Sequence, residues 1–247
     1  QQFITLKNNV WKYDPDLVLL AFFSGNDVSD NIKTLSKKKY RPYFIFDNEN
    51  IEIDKSYLDS KPYKIISSVP GKIFIKMSQY SRTFQLFREA YVQSHFKKNK
   101  NQKLTSKKKS LNSNVYSPKN NDWLKAWTVT EKIIKMINDE VLKKKREFIL
   151  VSLSTPIQVD PSDEKINLYK NLNNINDIFY PERRLSEFTK ENSIKYIQIA
   201  KKMRSIAIKN KIYFHGFLNT ELGAGHWNIK GHDIASKLIS KGICELH

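Results

Sequence analysis

The chain has 247 residues, 40% of them hydrophobic, enough to bury a sizeable core in one enzyme-sized domain. Its 43 Lys and Arg against 25 Asp and Glu leave a formal charge of +18, but the lysines are spread along the sequence, so charge alone does not mark a nucleic-acid surface. A single cysteine, Cys244, excludes an intrachain disulfide framework and a cysteine-rich zinc site, and the longest apolar run, Leu17 to Phe23, is far shorter than the ~20 residues of a membrane-spanning helix.

Phe3, Leu6, Val10 and Trp11 follow helical spacing with no capping residue before them, so the sequence predicts a chain that opens inside a helix and is truncated at its N-terminus. On that expectation any leader or membrane anchor, and with it the compartment, belongs to residues upstream of Gln1. Asp14-Pro15-Asp16 breaks this helix, and Leu17 to Phe23 follows as a continuous apolar run, the pattern of a strand covered on both faces of a parallel sheet. Ser24-Gly25-Asn26-Asp27 then turns the chain at the end of that strand.

Tyr43 to Phe46 and Ile51 to Ile53, around Asp47-Asn48-Glu49-Asn50, predict a hairpin outside the main sheet. A helical stretch near Ser81 to Phe96 leads into Lys97 to Lys109, where low hydrophobicity and like charge predict a mobile loop. Residues 28–121 therefore read as an insertion into a single domain that spans 1–247. Beyond it, Asp122 is placed to cap a helix with apolar positions Trp123, Trp127, Ile133, Ile134, Ile137, Val141 and Leu142, followed by a strand at Phe148 to Leu153. Pro181 suits the first turn of a helix carrying Leu185 and Phe188; Ile194 to Ile199 reads as a strand, with helix as the alternative. Met203, Ile206 and Ala207 resume helical spacing, and a last helix with Ile234, Ala235, Leu238 and Ile239 is expected to stop near Gly242. Strands alternating with helices predict an α/β fold whose ligands bind beyond the carboxyl ends of a parallel sheet.

Two segments carry the chemistry. Asn26 offers two amide N–H donors at the end of a predicted strand, with Gly25 easing the turn and Asp27 suited to tying the loop through backbone N–H groups. His226, between Gly223, Gly225 and the last helix, is the natural general base, since a neutral imidazole takes a hydroxyl proton near pH 7 and returns it to a leaving group. Each alone has a plainer reading: Gly-Asn-Asp is common turn composition, and a lone histidine is commonly structural. His232 falls six residues after His226, not at the i, i+4 spacing of a helical metal site, and no metal or other cofactor is expected. His215, within Tyr213-Phe214-His215-Gly216-Phe217, reads as packed, and Trp227 as either core or a pocket wall.

The strand followed by Gly25-Asn26-Asp27 resembles the third conserved block of the SGNH (GDSL-like) hydrolases, and His226-Trp227-Asn228 with Gly231-His232 resembles their fifth. Tyr180-Pro181-Glu182-Arg183-Arg184-Leu185 and Tyr213-Phe214-His215-Gly216-Phe217 fit a bacterial branch of that family. The resemblance covers most of the chain except the lysine-rich insertion and implies a flavodoxin-like parallel sheet of about five strands with helices on both faces, here truncated at the N-terminus and interrupted by the hairpin and lysine-rich loop read above. It also implies a serine esterase or O-acyltransferase acting on a small-molecule, glycan or lipid acyl ester, with His226 as base and Asn26 as oxyanion donor. No nucleic-acid partner is expected. The family's Gly-Asp-Ser block and its oxyanion glycine have no counterpart before Leu17, so the nucleophile is expected upstream and the chain alone is expected to be catalytically silent. Ser24 does not fit a Gly-x-Ser-x-Gly nucleophile elbow. Where the family places an Asp ahead of its histidine, this chain has Gly223 and Ala224, leaving either an acid from elsewhere or a Ser-His dyad; Glu221 is the nearest carboxylate in sequence. The alternative function is a catalytically inactive basic protein binding an anionic polymer or a membrane surface through Lys97 to Lys109.

Overall fold

A computed structural model describes residues 1–36, 40–47, 50–90, 111–217 and 221–246, and the chain divides into two compact units, Gln1–Ser36 with Leu111–His247, and Lys37–Ser110. The lysine-rich stretch at 97–109 lies outside the described residues.

The first unit is built on a three-stranded parallel sheet in the order β1 (Leu17–Phe23), β4 (Glu147–Leu153), β5 (Lys195–Gln198). This is a mixed α/β architecture, with three parallel strands among the described residues rather than about five. Central β4 is buried on both faces. Phe148 and Leu150 lie on one side, with Ile149 and Val151 on the other. Helix α6 (Asn121–Lys143) covers the first face with Trp123, Trp127, Ile133, Ile134, Ile137 and Val141. Its N-cap is Asn120, whose side chain accepts from Trp123 N at 3.0 Å, and Asp122 sits inside the first turn instead, while Leu142 points to solvent. On the second face Ile149, Val151 and Ile197 pack with Met203 and Ala207 of α9 (Ala200–Asn210) and Ala235 of α10 (Ile229–Leu246).

Strand β1 corrects the expectation of a strand covered on both faces. Leu20 and Phe22 are buried toward α6, Phe22 meeting the Trp127 ring at 6.3 Å. Leu19 and Ala21, which register with Ile149 and Val151, are exposed: among the described residues α9 and α10 cover β4 and β5 but not β1. Pro181 does lie in the first turn of α8 (Tyr180–Glu191). Gly242 does not end the last helix. It lies buried within α10, where a Cβ would sit 2.9 Å from the Ile197 side chain, so it lets helix and strand approach.

The opening segment is helical in three short registers: α1 (Gln2–Thr5), a π turn at Leu6–Val10 and a 3₁₀ turn at Trp11–Tyr13. The second unit holds the antiparallel hairpin β2 (Tyr43–Asp47) and β3 (Asn50–Asp54), then α3 (Lys61–Ser67), α4 (Val69–Tyr80) and α5 (82–90). Ser60 and Ser68 cap α3 and α4 through their side chains, each with proline in the first turn. Of the helix expected from Ser81 to Phe96, the part beyond 90 lies outside the described residues.

Candidate active site

The carboxyl ends of β1 and β4 adjoin, Phe23 registering with Leu153, and the two segments marked by the sequence both reach this edge. After β1, Gly25 lies under the Phe23 ring, where a Cβ would come 2.4 Å from a ring carbon, so a larger residue there must push the ring aside. Asn26 is the N-cap residue of α2 (Asp27–Asp30), but its side chain makes no capping bond. Its carbonyl accepts from Asp30 N and Ser29 Oγ, so the backbone is fixed while the amide is left exposed without a partner among the described residues. The Asp27 carboxylate folds back to accept from Phe23 N at 2.7 Å, bracing the turn. Burial pushes its pKa up to about 6, opposed by that same backbone bond. Ser24 Oγ is buried with no hydrogen-bond partner among the described residues, and hence no base.

The second segment is held by its own sequence. His215 and Trp227 pair as an antiparallel bridge, with Gly216 N donating to His226 O and Asn228 N to Phe214 O. Asn228 works at both ends of its side chain. Nδ2 donates to Tyr213 O at 2.9 Å and Gly216 O at 3.2 Å, while Oδ1 accepts from Gly231 N at 2.9 Å, capping α10. Gly231 admits Phe214 O to within 2.3 Å of where a Cβ would be. Trp227 donates Nε1–H to Ser154 Oγ at 3.0 Å, fastening the loop to the residue that follows β4. The His232 ring stands edge-on to the Trp227 ring at 5.5 Å.

Every one of these motif side chains is thus engaged except that of His226, which is exposed and makes no hydrogen bond among the described residues. Among the described residues no hydrogen bond or ion pair joins His226 to Asn26, Glu221 or a serine; Asn26 follows β1, and the His226 loop is tied through Trp227 to Ser154 just after the neighbouring β4. His215 is buried, and its Nδ1 bonds Gly225 O at 2.8 Å, supporting the loop from below. Desolvation lowers its pKa, so the neutral ring with Nδ1–H donating is favoured.

Asp160 was not singled out by the sequence, yet it packs directly under the loop. Its Oδ2 lies 3.1 Å from the position of a Cβ on Gly223, and its side chain is fully buried, accepting from Ser162 N at 3.0 Å and pairing with Lys165 Nζ at 3.0 Å. Only the tertiary fold brings it there, and nothing near it in sequence marks the contact. Ser154, by contrast, is buried with its hydroxyl occupied by Trp227 and Met203 Sδ. A second polar centre sits deeper. Gln158 Nε2 donates to both carboxylate oxygens of buried Glu182, and its Oε1 accepts from Thr155 N, while the Thr155 hydroxyl shares a 2.7 Å bond with Tyr116 Oη.

Among the described residues no group of His, Cys, Asp and Glu side chains could hold a metal ion. Beside the His226 loop runs an apolar groove of about 570 Å³ whose walls include Ile212, Tyr213, Phe217, Leu222 and Ile229. No protein-family model matches the chain, and neither the curated proteins nor the solved structures contain a match to it.

Proposed function

We propose that this chain carries the base and one oxyanion donor of an SGNH-type serine esterase or O-acyltransferase on a flavodoxin-like sheet, with the nucleophilic serine supplied from outside these 247 residues. The observation that carries the reading is the framework of Tyr213–Gly216 and Gly223–Gly231, which uses Asn228, Trp227 and Gly231 to hold an imidazole, that of His226, with no hydrogen bond among the described residues. In this mechanism His226 takes the proton from the serine hydroxyl as it attacks the ester carbonyl, then returns it to the departing alkoxide. The uncommitted Asn26 amide donates to the developing oxyanion. The buried Asp160 carboxylate, ion-paired with Lys165, packs beneath Gly223, near the position where the family pattern has an acid and this sequence has glycine. The adjoining groove offers apolar surface to an acyl chain, which fits an acyl ester of a glycan or lipid.

The test is hydrolysis of p-nitrophenyl acetate by the product of the whole open reading frame. His226→Ala should abolish turnover and Asn26→Ala should lower it by about 10²–10³. Unchanged turnover in His226→Ala overturns the reading.

A further inference from the structure

Helices α3 to α5 of the second unit carry an apolar surface that the described part of that unit does not cover. Neither α3 nor α4 contains a buried residue. Val69, Ile73, Met77 and Tyr80 recur at i, i+4, i+8 and i+11, which places them on one stripe of α4, and they are 71%, 53%, 46% and 81% exposed. Leu86 and Phe87 of α5 are similarly open. Between α4 and α5 lies a cavity of about 750 Å³ lined by Phe74, Phe84 and Phe87, the Phe74 and Phe84 rings 5.7 Å apart. A solvated helix pair would bury these side chains against each other or replace them with polar ones.

The charge beside this surface is predominantly positive, although Lys64 pairs with Asp59 at 3.3 Å. Residues 61–90 contain Lys61, Lys64, Lys72, Lys76, Arg82 and Arg88 against the single acid Glu89. Lys72 and Lys76 adjoin the α4 stripe in sequence, one residue before Ile73 and one before Met77. Short helices with exposed aliphatic and aromatic side chains flanked by lysine and arginine are the composition of elements that lie in the headgroup region of a bilayer. No described helix is long and apolar enough to cross one.

We propose that α3 to α5 form a membrane-surface element that inserts Val69, Ile73, Met77 and Tyr80 into the interface of an anionic bilayer, with the flanking Lys and Arg on lipid phosphates. Charge complementarity selects this occupant over a second copy of the chain, because pairing two such faces would bring two strongly basic surfaces together. The proposal does not depend on the ester-hydrolase reading.

Sedimentation of the 247-residue chain with vesicles tests it. The chain should bind phosphatidylglycerol-containing vesicles, bind pure phosphatidylcholine vesicles weakly, and release from the former as salt is raised. Lys72→Gln with Lys76→Gln should weaken binding about 30-fold, at about 1 kcal/mol for each charge near an anionic surface. Ile73→Ser with Met77→Ser should weaken it at least ~10-fold through lost apolar insertion. Leu168→Ser, an exposed leucine in the first unit, should change nothing. All five side chains are exposed or flank exposed positions, and a circular-dichroism melt checks that each variant stays folded. No binding to anionic vesicles, binding indifferent to Ile73→Ser with Met77→Ser, or a concentration-dependent dimer abolished by that pair would each overturn the proposal.

Discussion

Asp160 and Gly223, distant in sequence, are in contact. The carboxylate Oδ2 stands 3.1 Å from where a Cβ of residue 223 would be, while the Tyr213 ring closes the other side at 3.0 Å. Gly223 and Gly225 share a φ of +77°, a left-handed backbone that costs an L-residue about 1–2 kcal/mol, yet a Cβ on Gly225 would meet nothing within 4 Å. The pair therefore separates backbone strain from crowding. Gly225→Ala should destabilise by about 1 kcal/mol, and Gly223→Ala by about 2–3 kcal/mol, because it must also displace a buried, ion-paired carboxylate. Urea unfolding of the two variants checks this, and equal midpoints would show that Asp160 does not crowd residue 223.

That contact also marks where the sequence stops being informative. The strand at Leu17 to Phe23, the β2–β3 hairpin and the helix containing Pro181 follow from local pattern, because turn residues and apolar periodicity act over a few residues. The burial of β1 does not follow from it. A continuous apolar run says that a strand can be covered twice, while what covers it depends on where α9 and α10 cross, and they leave Leu19 and Ala21 open. The cap of α6 moved from Asp122 to Asn120 because either residue type can accept the first free N–H, and only the path of the chain chooses. In the candidate site, Asn26 and His226 were legible as a spaced pair of motifs. Asp160, Ser154 and the double role of Asn228 were not, since each acts on a partner far away in sequence.

Asn228 makes three side-chain bonds, two holding the Tyr213–Gly216 segment and one capping α10. At about 1 kcal/mol for each hydrogen bond, Asn228→Ala should cost about 2–4 kcal/mol. Asn228→Ser keeps a cap acceptor but neither donor to the distant carbonyls, so it should recover about 1 kcal/mol of that loss. Both should reduce ester hydrolysis in the full open reading frame product, since they loosen the loop that presents His226. Wild-type turnover in Asn228→Ala would show that the loop does not need this clamp.

Stability should respond to pH through groups of opposite sign, the raised carboxyls of Glu182 and Asp27 on one side and His215 on the other. Burial raises the Glu182 carboxyl from 4.5 to about 7, against the hydrogen bonds from Gln158 that favour its ionised form. Between those values the folded chain keeps a proton that the unfolded chain releases, so this contribution is fully present below pH 4.5 and is lost as pH rises to 7, about 3 kcal/mol in all. His215 acts the other way. Its folded pKa is lowered from 6.5, so the unfolded chain takes up a proton first, and the contribution present above 6.5 is lost as pH falls below it. Glu182→Gln should therefore reduce the decline toward neutrality and be more stable than wild type at pH 8, leaving the decline up to about pH 6 due to Asp27 and the acid-side loss due to His215. Denaturant midpoints measured from pH 4 to 8 decide it; an unchanged pH profile in Glu182→Gln would mean that the Glu182 carboxyl titrates alike in the folded and unfolded chain.

Gly242 offers a test of packing against propensity within one residue. In an exposed helix interior, Gly→Ala stabilises by about 1 kcal/mol, and residue 242 lies inside α10 with an ordinary helical backbone. Here the added methyl would stand 2.9–3.1 Å from three atoms of the Ile197 side chain, which is β-branched, stiff at χ1 and itself part of the core. Overpacking of that kind costs about 1–3 kcal/mol, so crowding outweighs propensity and Gly242→Ala should lower stability by up to about 2 kcal/mol. Adding Ile197→Val trims the crowded side chain and should return part of the loss, making the double variant more stable than the sum of the two single changes. Strict additivity of the three unfolding free energies would show that α10 and β5 do not meet at these two residues.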